Sequence, residues 1–164
     1  MEPESSRHVF DGKLIKVDVE QWPSGEREVA KHPEACAVVA TTPEGEVLLV
    51  KQFREAVRQE LLEIPAGIVE EGESREDCVA RELLEETGYR ATKLEHLGTI
   101  YTSPGFTNEK IELFRAHAEP AGGVTEDAVE VVAMPLDRAI EAIERGHIVD
   151  GKTMVGLTRI QMAG

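Results

Sequence analysis

Three glutamates crowd the stretch Arg81-Glu82-Leu83-Leu84-Glu85-Glu86. On a helix advancing about 100° per residue, Glu82, Glu85 and Glu86 fall within one arc of roughly 100°. Glu82 and Glu86 lie one turn apart, at the edge of an apolar stripe of Val79, Ala80, Leu83 and Leu84. Their placement near a helix C-terminus opposes the macrodipole by about 0.3–1 kcal/mol each. Like charges at i and i+4 add about 0.2–0.5 kcal/mol. A hard cation between the carboxylates reverses both penalties. Mg²⁺ suits the position, because it takes carboxylate oxygens and keeps waters for a phosphate ligand. For these residues alone the commoner outcome is a solvated acidic face with Arg81 pairing Glu85.

The helix that must carry them is expected over residues 74–87. Ser74 with Asp77 resembles a capping box, and Gly88 is a natural C′ residue. Residues 1–7 read as a frayed tail. Residues 8–31 form a strand-rich lead with a turn at Pro23-Ser24-Gly25. Two apolar runs at 35–41 and 47–53 suggest a hairpin of buried strands. A short strand at 60–64 ends at Pro65-Ala66-Gly67. Strands are expected near 94–101, 110–116 and 129–133, with a Gly-rich acidic loop at 118–127. Helices are expected at 135–145, with Pro135 at the first position and Gly146 as the stop, and at 152–162. Strands outnumber interspersed helices, so the class is α+β with a mixed sheet packed between helices. Residues 1–34 form an N-terminal extension of the same domain, and 35–164 its body.

With 164 residues, 41% hydrophobic and 30% charged, the chain suits one globular domain. The apolar runs are too short to span a bilayer, and the N-terminus lacks signal-peptide character. A cytoplasmic, membrane-free protein is expected. The net charge of −14 disfavours a nucleic-acid partner. It would repel an anionic nucleotide too, so such a substrate needs a metal cation or a few arginines. Cys36 and Cys78 read as buried free thiols, and the scattered histidines make no zinc site.

Residues 67–89 read GIVEEGESREDCVARELLEETGY. The string matches the Nudix box, G-x5-E-x7-R-E-U-x-E-E-x-G-U, where U is bulky and apolar. The matching residues are Gly67, Glu73, Arg81, Glu82, Leu83, Glu85, Glu86, Gly88 and Tyr89. Tyr89, where an aliphatic residue is usual, is the one departure. The chain thus resembles the Nudix hydrolases. The resemblance implies a loop–helix–loop that cradles metal on an α/β/α sandwich. It implies Glu82 and Glu86 as principal Mg²⁺ ligands, Glu85 as a third carboxylate, and the Ala66 carbonyl as another ligand. Mn²⁺ or another divalent cation is expected to substitute. It implies Arg81 as the residue holding Glu73 or Glu85, and tight backbone turns at Gly67 and Gly88. Metal in such a site bridges diphosphate oxygens and activates a water.

Features outside the box resemble the ADP-ribose pyrophosphatase group. Pro104 follows Gly88 by 16 residues within Ser103-Pro104-Gly105-Phe106-Thr107-Asn108-Glu109. Leu62-Glu63-Ile64-Pro65-Ala66-Gly67 and Val50-Lys51-Gln52-Phe53-Arg54 look like that group as well. The resemblance marks Arg54, Ser103, Pro104, Gly105, Phe106 and Glu109 as substrate-binding candidates. It adds Arg27 and Glu28 at the adenine end, from a lead that crosses to a second subunit in a homodimer. Glu126 and Asp127 lie where a catalytic glutamate is expected, with Glu85 the alternative base. The implied reaction is hydrolysis of ADP-ribose to AMP and ribose 5-phosphate. GDP-mannose, another nucleotide sugar or a dinucleotide remains open, as does a non-catalytic nucleotide-binding module.

Overall fold

The computed structural model describes residues 1–122 and 129–163. Its elements run β1 (Ser5–Asp11), β2 (Lys16–Trp22), β3 (Gly25–Lys31), β4 (Ala35–Thr41), β5 (Glu46–Arg54), β6 (Gln59–Glu63), β7 (Ala66–Ile68), α1 (Arg75–Thr87), β8 (Tyr89–Tyr101), β9 (Lys110–Pro120), β10 (Glu130–Pro135), α2 (Leu136–Glu144) and α3 (Gly151–Ala163). The small antiparallel sheet is ordered β1-β2-β3. The main sheet is ordered β10-β5-β4-β9-β8, with β6 beside β5 and β7 beside β4. The β4–β9 pair is parallel and the others antiparallel, so the sheet is mixed.

The unbroken apolar run of β4 follows from burial on both faces. Ala35, Ala37 and Val39 join Val47, Leu49, Ile111 and Leu113 in a core with α2 and α3. Cys36, Val38 and Ala40 join Leu48 and Phe114 in a second core, with Cys78, Val79 and Leu83 of α1. This is the α/β/α sandwich. Both cysteines are buried and free.

Strands β4 and β5 pair only beside their turn, at Ala40–Leu48 and Thr41–Val47. They then splay apart. β6 takes the edge of β5 and β7 the edge of β4. Ile64 and Pro65 sit in the fork, where Pro65 accepts a bond from the Val38 amide at 3.0 Å. The Ile64 amide donates to Thr153 Oγ1 of α3 at 2.8 Å. The fork delivers the chain to Gly67 at the foot of α1.

Several sequence expectations need correction. The N-terminus is not frayed through residue 7: Ser5 pairs Gln21, and the Glu4 amide donates to Gln21 O at 2.7 Å. β7 was not expected, since three residues containing a glycine carry no periodicity. β8 starts at Tyr89 rather than near 94, and β9 runs to Pro120 rather than 116. The added residues mix polar side chains with Tyr89, Ala91 and Ala118, which pack on the second core, and they pair Tyr89 with Pro120, interrupted by a bulge between Ala91 and Lys93. Pro135 is the N-cap of α2 rather than its first helical residue. No helix among the described residues is long and apolar enough to cross a membrane.

Candidate active site

Helix α1 is cut to length by its ends. Ser74 Oγ accepts from the Asp77 amide at 3.1 Å, and Gly88 closes the helix at φ 72°. Gly67 does not make the tight turn that the resemblance implied: it lies within β7, paired with Cys36. Its role is close approach: a Cβ there would lie 1.8 Å from Glu82 Oε1. Only a glycine lets the Glu82 carboxylate rest against the β7 backbone. Glu86 reaches the same strand, where its Oε2 accepts from the Ala66 amide at 3.2 Å.

Arg81 ties the loop to the helix. It donates to Glu73 Oε1 at 2.8 Å and Oε2 at 3.0 Å, to Glu82 Oε1 at 2.6 Å, to Glu85 Oε2 at 3.2 Å and to the Ile68 carbonyl at 3.1 Å. It therefore holds both Glu73 and Glu85. Its hydrogen bonds, with one from the Glu70 amide, bring the Glu73 carboxyl down to about 2. Burial acts the other way on the helix carboxylates. It pushes Glu86 up to about 7, against the Ala66 amide and with help from Glu82. Burial also raises Glu82, against the pull of Arg81.

Two carboxylates that resist ionisation, Glu82 against Gly67 and Glu86 on the Ala66 amide, fit a divalent cation. Among the described residues no three acidic, cysteine or histidine side chains form a ready-made cage. A hard divalent cation completes its shell with water and substrate oxygens. Glu82, Glu86 and the Ala66 backbone are the groups that would hold it.

The remaining candidates fall in two places. Arg54 stands with the box: its Nε and Nη2 grip Glu63 at 2.7 and 2.6 Å, and its charge is felt at Glu86. Arg27, Pro104, Gly105 and Phe106 line a cavity of about 500 Å³ with Trp22 and Tyr101. No box residue lines that cavity. Glu28 does not line it either, because alternate strand residues face opposite sides. Ser103 and Glu109 shape the loop instead. Ser103 O accepts from the Phe106 and Thr107 amides at 3.1 Å, and Glu109 accepts from Thr102 Oγ1 at 2.7 Å. Glu126 and Asp127 lie outside the described residues.

Sequence reasoning did not single out Glu63, Lys152, Asp150 or the aromatic pair Trp22 and Tyr101. Glu63 carried a signal: a charged residue in an apolar run, followed by Ile-Pro, is expensive to bury without partners. Trp22 and Tyr101 come from distant strands, and nothing local links them.

The NUDIX domain profile matches residues 30–154. The chain is 40% identical to an ADP-ribose pyrophosphatase of Bacillus subtilis, over 96% of this chain and 91% of that protein. It is 36% identical to a methanol dehydrogenase activator of Bacillus methanolicus, over 96% and 90%. It is also 36% identical to a GDP-mannose pyrophosphatase of Cronobacter sakazakii, over 84% and 78%. A crystal structure of an ADP compounds hydrolase superposes with a TM-score of 0.83 over 99% of this chain and 94% of that one, at 19% identity, which shows the shared fold. A complete box on a helix foot shaped by Gly67, within a chain matched over most of its length, makes this protein a member of the NUDIX family, a Nudix hydrolase.

Proposed function

We propose that the enzyme hydrolyses ADP-ribose to AMP and ribose 5-phosphate with Mg²⁺. The observation that carries the reading is the pair of half-buried carboxylates, Glu82 and Glu86, set against Gly67 and Ala66. The similarity to an ADP-ribose pyrophosphatase over most of both chains supports the substrate. Bound Mg²⁺, or Mn²⁺ in its place, supplies charge neutralisation on the diphosphate and acidifies a water. Arg81 keeps Glu82 and Glu85 oriented, and Arg54 offers its remaining guanidinium edge to the diphosphate. The proton leaves the water for Glu126, Asp127 or Glu85. One P–O bond of the bridge breaks as a new one forms to the water oxygen. The cavity beside Trp22, Arg27 and Phe106 suits a nucleobase, with aromatic faces for stacking and Arg27 as donor.

A GDP-mannose substrate is the second reading, favoured by 36% identity to pyrophosphatases of that name. We further propose a cytoplasmic homodimer in which residues 1–34 of each subunit serve the other's site. The free buried thiols fit a reducing compartment.

The test is Mg²⁺-dependent release of AMP across ADP-ribose, GDP-mannose and dinucleotides, compared by kcat/KM. ADP-ribose is expected to lead the panel. A higher value for GDP-mannose would replace the first reading with the second. Glu126→Gln and Asp127→Asn, assayed alongside, locate the base: two fully active variants would move it to Glu85.

A further inference from the structure

Behind the box, Arg54 is backed by a charge cluster, Glu63, Lys152 and Asp150, that the reaction outlined above leaves unused. Glu63 and Lys152 are both almost fully enclosed. Glu63 accepts from both ends: Arg54 holds it bidentately, and Lys152 Nζ donates to Oε2. Lys152 also donates to Asp150 Oδ2 at 3.1 Å. Asp150 begins α3, where Oδ2 accepts from the Thr153 amide at 3.0 Å and from its hydroxyl at 2.6 Å. Two cations and two carboxylates cancel. Their neutrality matters because Glu86, beside them, feels both Lys152 and Arg54.

We propose that Lys152 is a positioning residue for substrate: it takes up part of the Glu63 charge so that Arg54 keeps its attraction for a diphosphate. Without Lys152, the group carries one net negative charge next to Glu82 and Glu86. Glu63 then draws wholly on Arg54, and a dianionic bridge meets a repulsive floor. The inference rests on the diphosphate reading of the substrate, but not on which nucleotide sugar is preferred.

Calorimetry with α,β-methylene-ADP, whose P–C–P bridge cannot be hydrolysed, reads this directly. Lys152→Met should weaken its binding with Mg²⁺ by about tenfold, the effect of one unit charge roughly 10 Å away in a partly buried site. Titration with Mg²⁺ alone should show affinity unchanged or tighter, because the site is more negative. The decisive variant is Lys152→Met combined with Glu63→Gln. It removes one charge of each sign and should recover most of the nucleotide affinity. Lys152→Arg should retain it.

A purely structural lysine behaves otherwise: Mg²⁺ and nucleotide affinity fall together in the single variant and return together in the double. That pattern, or a Lys152→Met enzyme with undiminished nucleotide affinity, overturns the proposal. So does failure of the single variant to fold, because an unfolded Lys152→Met chain beside a folded double variant marks a stabilising ion pair and nothing more. If the wild type binds α,β-methylene-ADP but leaves ADP-ribose intact, the substrate reading fails while this measurement still stands.

Discussion

Glu86 shows what enclosing a carboxylate costs the folded protein. Burial lifts its carboxyl from 4.5 to about 7, so the folded state favours the protonated form. The sign follows by linkage: the resulting stability is complete below pH about 4.5 and is lost as pH rises through about 7. Its size is on the order of 3 kcal/mol. Glu82, raised as well, acts in the same direction, whereas Glu73 titrates near 2, outside the window. Urea melts of chelator-treated protein should therefore show falling stability from pH 4.5 to 8. Glu86→Gln should flatten that slope, and an unchanged slope would remove Glu86 as its cause. Glu82→Gln and Glu86→Gln should each cut kcat by at least about 100-fold, beyond the ~10–100-fold typical of a lost outer-shell partner. Near-normal Mg²⁺ turnover in both would refute the metal assignment. Gly67→Ala places a methyl where the Glu82 carboxylate lies. Mn²⁺ affinity, followed by electron paramagnetic resonance, should drop about tenfold or more while circular dichroism stays native. Undiminished affinity would show that Glu82 does not need the contact.

At the scale of elements, α1 depends on its N-cap. Ser74→Ala removes the acceptor for the Asp77 amide and should cost about 1 kcal/mol. In a domain of this size that is a Tm lower by about 2–4 °C. A change below 1 °C would mean that the loop at residues 69–73, held by Arg81 and Glu73, fixes the helix start unaided. The elements also show where periodicity carries information. α1 was legible because its caps and apolar stripe lie within a few residues of each other. β4 and β5 were legible as buried runs. β7 was not, because its strand identity exists only through pairing with Ala35, Cys36 and Ala37. The start of β8 was hidden because its alternation, Tyr89 and Ala91 inward with Arg90 and Thr92 outward, is broken by the bulge before Lys93.

The whole molecule leaves an apolar surface on its small sheet. Val9, Phe10, Leu14 and Ile15 are all exposed there. The sheet is joined to the body where the Ala30 amide donates to Phe106 O at 2.8 Å and the His32 amide to Asn108 Oδ1 at 2.8 Å. A symmetric second copy would cover these side chains. Sedimentation should find a dimer at micromolar concentration. Removing residues 1–34 should yield a monomer with a KM for substrate at least about tenfold higher, a loss of roughly 1.4 kcal/mol. A fully active full-length monomer would defeat the shared-site idea and leave the chemistry of residues 67–89 untouched.

The sequence by itself determined the family and the identity of the candidate metal ligands. The box residues lie within one loop and one helix, so their geometry follows from helix periodicity and local caps. It also determined the sandwich in outline, since runs buried on both faces require cover on both sides. Only the tertiary structure decided what surrounds the box. The β5–β6 pair sets Arg54 beside Glu63, and α3 brings Lys152 to them from a distant part of the chain. The cavity joins Trp22 and Arg27 to Tyr101 and Phe106 across the two sheets. Such meetings depend on strand order and register, which are set by the burial of the whole chain rather than by any one segment. For the same reason, tertiary packing rather than backbone conformation explains Gly67: its requirement comes from a glutamate fifteen residues away, brought back by a helix against the strand it had just left.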